Sequence, residues 1–283
     1  MLEKNNSKAD DCFIRVHNLK KIYPGGVQAL NNVSVDIKKG EIVSLIGSSG
    51  AGKTTFLRCL NGLISATEGE IYINNENICN LKGKRLRQYQ KTVGIIFQQF
   101  NLVNRLNVMK NVLVGSLPTK KGWDFLKAML GLFSEEEQKE ACICLEKVGI
   151  LKNVWKRVDN LSGGQQQRVA IAKILLQSPQ LILADEPIAS LDPYSSVSVM
   201  EKLNEINRDY GTTVIMNMHY LDYAKQFSTR IIGLRFGEVV FDGAPEELTS
   251  KAEDIIYAGA NEDNYRIADG EYDFSPLTVE SSA

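Results

Sequence analysis

Cysteine is scarce in this chain and shows no paired spacing. The five cysteines (Cys12, Cys59, Cys79, Cys142 and Cys144) include no C-x-x-C pair, which argues against a zinc site. The odd count, with no secretory leader in front of it, argues against a disulfide framework; reduced thiols in the cytoplasm are expected. Long apolar runs are also missing. None approaches the ~20 residues that a membrane-spanning helix needs, so any membrane link is expected to run through a partner. Neither charge sign dominates: the net charge is −1, so no global basic field recruits nucleic acid, and no nucleic-acid partner is expected. Internal repeats and low-complexity blocks are absent. What remains is an ordinary globular composition, 43% hydrophobic and 24% charged over 283 residues, enough for one or two domains.

The chain is organised around Gly47-Ser48-Ser49-Gly50-Ala51-Gly52-Lys53-Thr54-Thr55. The stretch fits G-x-x-x-x-G-K-[ST], with a β-branched run (Glu41 to Ile46) before it and a helical pattern (Thr55 to Leu60) after it. That strand–loop–helix context marks a phosphate-binding loop. Glycines let the backbone N–H groups turn inward as an anion nest, and the following helix points its positive end at the same spot. Lys53 is expected to reach the β- and γ-phosphates, and Thr54 to offer a hydroxyl to Mg²⁺.

Strands are expected at Phe13–Val16, Asn31–Ile37, Gly69–Ile73, Val93–Phe97, Leu181–Glu186 and Thr213–Met218, with a hairpin turning at Gly237. Between Asn107 and Asp159 helical patterns replace strand signals, which suggests a helical subdomain inserted in an α/β core. Ser134-Glu135-Glu136-Glu137 reads as a capping-box start for a helix through Leu145. Within the insertion, Trp123, Leu126, Met129, Leu130 and Phe133 recur at helical spacing. Two readings of that stripe stay open. It packs against its own subdomain, or, flanked by Lys120, Lys121 and Lys127, it is exposed near a membrane surface or an acidic partner.

Several strand ends carry chemistry. Asp185 and Glu186 close an apolar strand; Asp185 suits a Mg²⁺ partner and Glu186 a base that polarises water. His219 ends another strand, and Gln98 a third. In a parallel sheet such ends share one crevice, so these side chains are expected to meet the loop after Ile46 at one phosphate. Tyr23 suits stacking on a base. Leu161-Ser162-Gly163-Gly164-Gln165 is a second glycine-rich helix start and hence a second anion site. One nucleotide does not need two nests in one chain. The economical arrangement is a dimer in which each Ser162-Gly163-Gly164 caps the γ-phosphate held by the other copy.

Taken together, Tyr23, the loop Gly47 to Thr55, Gln98, Leu161 to Gln165, Asp185-Glu186, Ser190-Leu191-Asp192 and His219, in that order, resemble the ATP-binding cassette ATPases over about residues 13–250. The resemblance implies a RecA-like α/β core with an antiparallel β subdomain and an inserted α-helical subdomain. It implies one nucleotide-binding domain over residues 11–255, a helical part at about 100–165 and an acidic tail at 256–283. It implies ATP and Mg²⁺, with Glu186, His219 and Gln98 catalytic and Thr54, Gln98 and Asp185 at the metal. ATP contacts fall to Tyr23, Gly47, Ser48, Ser49, Gly50, Ala51, Gly52, Lys53, Thr54 and Thr55, and across the dimer to Ser162, Gly163, Gly164, Gln165 and Asp192. Expected partners are a second copy, integral membrane permease subunits that dock on the helical part, and an extracytoplasmic solute-binding protein, with the chain peripheral at the cytoplasmic face of the cell membrane. Softer cues (Phe97 to Val103, Gly122-Trp123 to Phe133, the Gln165-Gln166-Gln167-Arg168 run, Ile232 to Arg235) are most similar to the ATPases of phosphonate importers. Importers of another small solute and soluble cassette ATPases are the alternatives. Chromosome-type cassettes split their halves widely, translation-type chains carry two cassettes, and exporters often fuse membrane helices; none of these features occurs here.

Overall fold

A computed structural model describes residues 12–97, 99–117, 120 and 122–258. The chain begins with two long strands, β1 (Cys12–Ile22) and β2 (Gln28–Lys38), then β3 (Ile42–Ile46), helix α1 (Lys53–Leu60), β4 (Glu68–Ile73), β5 (Glu76–Asn77), α2 (Gly83–Gln90) and β6 (Val93–Ile96). The helical region follows with α3 (Val108–Val114), α4 (Gly122–Met129) and α5 (Glu135–Lys147). Next come α6 (Gly163–Leu175), β7 (Leu181–Asp185), α7 (Pro193–Tyr210), β8 (Thr213–Asn217), α8 (Leu221–Phe227), β9 (Arg230–Arg235), β10 (Glu238–Gly243) and α9 (Ser250–Tyr257).

The strands form two sheets. An antiparallel sheet runs β2-β1-β4-β5, and a second runs β10-β9-β3-β8-β7-β6. In the second, β3, β6, β7, β8 and β9 are parallel and only β10 runs against its neighbour. Every residue of β3 is buried, because this strand is covered on both faces. Its alternate residues feed two cores. Ile42 and Ile46 join the core under α3, α5, α6 and α7, while Val43 and Leu45 join the core with α1 and the antiparallel sheet. The carboxyl ends of β3, β7 and β8 therefore lie side by side, where an open α/β sheet binds its ligand.

Most expected elements are in place, with corrected limits. β1 continues past Val16 to Ile22, because a bulge with Asn18 in the left-handed region (φ 47°) lets Leu19 turn back into the core. The short helices α2 and α8 were not expected. α2 is almost entirely polar and buries only Tyr89, so it carries no apolar period. Ser134 and Glu137 form the expected reciprocal cap of α5. Helix α9 crosses the expected boundary at residue 255, since Ile256 is fully buried against β9 at Gly233. Residues 259–283 of the expected tail lie outside the described residues.

The helical region is held by α3, α5 and α6, with Leu145 fully buried among Val112, Val148 and Ile171 in the same core. Leu145→Ala is expected to cost about 2–5 kcal/mol of stability, as a buried leucine leaves a cavity that closes only in part. Urea unfolding followed by circular dichroism measures it; a change below about 1 kcal/mol would mean this helix is not part of the cooperative core.

Candidate active site

The loop after β3 is shaped by two glycines that no other residue replaces. Gly47 has φ 146°, and a Cβ there would stand 2.1 Å from the Leu234 carbonyl oxygen; at Gly52 (φ 101°) it would stand 2.4 Å from that of Ala29. Gly52 caps α1 with no side chain to bond the first N–H groups, which leaves them for an anion. Lys53 is 5% exposed and donates to the carbonyls of Gly47 (2.7 Å) and Ser48 (2.9 Å). Burial pushes its ammonium below the usual range, and the carboxylates of Glu186 and then Asp185 draw it partly back.

At the end of β7, Asp185 Oδ1 accepts from Thr54 Oγ1 (3.1 Å) and from Asn217 Nδ2 (2.7 Å). Asn217 Nδ2 also donates to Thr54 Oγ1 (3.1 Å), closing a triangle that joins the start of α1 to the ends of β7 and β8. Asn217 is 1% exposed, and its Oδ1 has no hydrogen-bond partner among the described residues. One residue on, Glu186 holds a left-handed backbone (φ 53°), an uncommon and strained position for a side chain of this kind. That turn swings its carboxylate toward β8, where Oε1 lies 2.6 Å from His219 Nε2.

Lys53, Thr54, Glu186, Asn217 and His219 help to wall one cavity of about 270 Å³. Ser49, Gly50, Ala51, Gly52, Lys53, Thr54 and Thr55 form its floor, Glu186, Asn217 and His219 one side, and Tyr23 and Phe236 the other. Tyr23 Oη lies 3.3 Å from Thr55 Oγ1, which fixes the ring at the mouth. Gln98 lies outside the described residues. Phe236 and Asn217 were not foreseen. A lone amide inside the apolar run Thr213–Met218 was the signal for Asn217; a left-handed aromatic (φ 48°) at a hairpin turn leaves none for Phe236.

The other glycine-rich helix start stands apart. Ser162 Oγ accepts from the Gln165 N–H (3.3 Å), and Gln165 Oε1 accepts from the Ser162 N–H (3.1 Å). Gly164 is packed so tightly on α7 that a Cβ would stand 2.6 Å from Ser195 Oγ. Asp192 caps α7 by accepting from the Ser195 N–H (2.9 Å), and hydrogen bonds from Ser195 hold its carboxyl below the usual range. None of Ser162, Gly163, Gly164, Gln165 or Asp192 lines the cavity of its own chain.

The family model for ABC transporters matches residues 30–189. The chain belongs to the ABC transporter family. This cassette is 50% identical over 245 residues to the phosphonates import ATP-binding protein PhnC of Bacillus thuringiensis subsp. konkukian, covering 87% of this chain and 94% of that one. It is 46% identical to PhnC 2 of Halalkalibacterium halodurans, covering 87% and 99%. The cassette also superposes on a dimeric ATP-binding cassette in a post-hydrolysis state with ADP and Pi, at TM-score 0.72 and 36% identity over 82% of this chain and 98% of that one. A cassette of the cbiONQ ABC transporter complex from Clostridium perfringens gives TM-score 0.75 at 29% identity over 87% and 94%. Like these cassettes it is an ATP hydrolase by fold. Among the described residues no helix is long and apolar enough to cross a membrane.

Proposed function

We propose that this cassette is the ATP-hydrolysing motor of an importer for phosphonates. The observation that carries the reading is the cavity where Lys53, Thr54, Glu186, Asn217 and His219 converge, with Asp185 bonded to Thr54 and Asn217 beside it, while the second glycine-rich start lies outside it. The names of the similar PhnC proteins support phosphonate as the cargo. The same names support integral membrane permease subunits as partners and a peripheral place at the cytoplasmic face of the cell membrane. An extracytoplasmic solute-binding protein belongs to this reading as the source of cargo, and nucleic acid has no part in it.

In this reading the backbone of Gly47 to Thr55 and the Lys53 ammonium hold the β- and γ-phosphates, and Tyr23 stacks on the adenine. Thr54 and Asp185 suit Mg²⁺: hydroxyl and carboxylate oxygens form a hard donor set, and the buried, unpartnered Asn217 Oδ1 beside them marks a polar site that a hydrated ion or phosphate would complete. Gln98 would be a further oxygen ligand of the ion and would help to orient water. When bound, Mg²⁺ neutralises charge on the phosphate oxygens. Glu186 takes a proton from the attacking water as its oxygen bonds to the γ-phosphorus and the bond to the ADP oxygen breaks. His219 keeps the Glu186 carboxylate aimed and senses the γ-phosphate. Ser162, Gly163, Gly164, Gln165 and Asp192 act on the γ-phosphate held by the second copy.

Through its Nδ2, Asn217 positions Asp185 and Thr54. Asn217→Ala is expected to lower turnover by about 10–100-fold with an unchanged far-ultraviolet spectrum, the usual scale for a group that orients a metal ligand. Raising Mg²⁺ should recover part of the loss; no response to Mg²⁺ would remove Asn217 from this role.

Subunit mixing tests the shared site. Heterodimers of Lys53→Ala and Ser162→Arg chains carry one doubly broken site and one intact site if Ser162 acts across the interface. ATP-dependent cross-linking of tagged heterodimers is then expected to exceed that of either variant alone. No rescue would place Ser162 at its own chain's nucleotide.

A further inference from the structure

The helical region presents a face that no described residue covers. Helix geometry turns about 100° per residue. From Ala128, which is buried, that step places Phe125, Met129, Leu126, Leu130 and Trp123 in sequence around one side, with Lys127 and Asp124 opposite. The Leu130 N–H still donates to the Leu126 carbonyl (3.1 Å), so the helical turn carries this arc past the end of α4. The arc does not face the core. Trp123 and Leu130 are each 78% exposed, and Leu126 and Met129 are more than half exposed. Only Phe133 of the apolar stripe packs against the core. A contiguous apolar patch of this kind marks a contact surface.

A second feature adjoins it. A cleft of about 500 Å³ opens between α2 and α4, lined by Lys84, Arg87, Lys91, Lys120, Phe125 and Gln177 among others, with no carboxylate on its wall. Lys120 is paired with Glu137, but Lys84, Arg87 and Lys91 have no ion-pair partner among the described residues. From Lys82 to Lys91 the sequence holds five cations and no acid. Phe125 belongs to both features, joining the apolar arc to the cationic cleft.

We infer that this face rests on an anionic lipid surface. Apolar side chains that enter the headgroup boundary, beside cations that meet lipid phosphates, are the two elements of interfacial binding. The cleft's cations without an ion-pair partner among the described residues, Lys84, Arg87 and Lys91, follow one another along α2 and its C-terminal end with no carboxylate on the cleft wall, which suits a surface with many negative charges better than a single acidic side chain. The inference is independent of the catalytic reading, since neither α2 nor α4 contributes to the nucleotide cavity.

The test uses the full chain and vesicles of phosphatidylcholine, alone or with phosphatidylglycerol. The chain holds two tryptophans, Trp123 and the exposed Trp155, so Trp155→Phe leaves Trp123 as the sole reporter. Sedimentation with anionic vesicles and a blue shift of Trp123 emission are expected, with neither on neutral vesicles and both weakened by salt. Lys84→Gln, Arg87→Gln and Lys91→Gln together should reduce partitioning on the order of 10²-fold. Leu126→Ser with Leu130→Ser should reduce it about tenfold or more, and ATP binding should be unchanged in both variants. Equal binding to neutral vesicles, or undiminished binding by the charge variant, overturns the inference. So does saturable binding of inorganic phosphate in the cleft without vesicle binding, which would make it a soluble-anion site. Loss of permease pull-down in these variants with vesicle binding intact would assign the face to the permease instead.

Discussion

Glu186→Gln is expected to keep ATP binding and to cut turnover by roughly 10²–10⁴-fold, the usual worth of a general base. The substitution preserves shape and removes the negative charge that receives the proton. The carboxylate is held for that task by a left-handed backbone and a 2.6 Å contact with His219 Nε2. Binding survives because the phosphate contacts come from the loop and Lys53, not from Glu186. With the chemical step blocked, the ATP-bound dimer should persist on size exclusion. Near-normal hydrolysis would remove Glu186 from the role of base.

Lys53→Ala should fail earlier, at binding. Lys53 is nearly buried, and its ammonium faces the loop carbonyls with Asp185 and Glu186 as the nearby anions. A charge-assisted contact of this kind contributes about 1.5–3 kcal/mol, so ATP affinity should fall by on the order of 10²-fold and turnover to background. The fold should hold, because among the described residues Lys53 bonds to Gly47 and Ser48 of its own loop, and the α1 residues below it, Phe56 and Leu60, remain in the core. Titration with a fluorescent ATP analogue, beside a melting curve, separates the two effects. ATP affinity within a few-fold of the parent would contradict the proposed contact.

The contrast between these variants reflects what the sequence makes legible. The phosphate loop is readable because four fixed positions and their flanks all serve one geometry. Asp185 and Glu186 stand out because paired carboxylates at the end of a buried strand need partners, which Thr54, Asn217 and His219 supply. Asn217 was hidden, since one amide inside an apolar strand does not break the strand pattern, and its value lies in a triangle formed only when β7 and β8 pair. α2 was hidden because helix recognition relies on an apolar period, and α2 buries a single tyrosine. The stripe of α4 was readable as a helix but not in direction. Periodicity gives the same signal for a core face and for an exposed one, and only the packing of Ala128 inward and Trp123 outward separates them. The second glycine-rich start reads in the sequence as an anion site for another copy, and the fold keeps it outside the cavity of its own chain.

The most direct measurement is phosphonate-dependent ATP hydrolysis in proteoliposomes that contain the cassette with its permease and binding protein. The account predicts that an alkylphosphonate raises hydrolysis and drives its own uptake, and that Glu186→Gln abolishes both. Hydrolysis indifferent to phosphonates but raised by an unrelated solute, or uptake that survives Glu186→Gln, would contradict it.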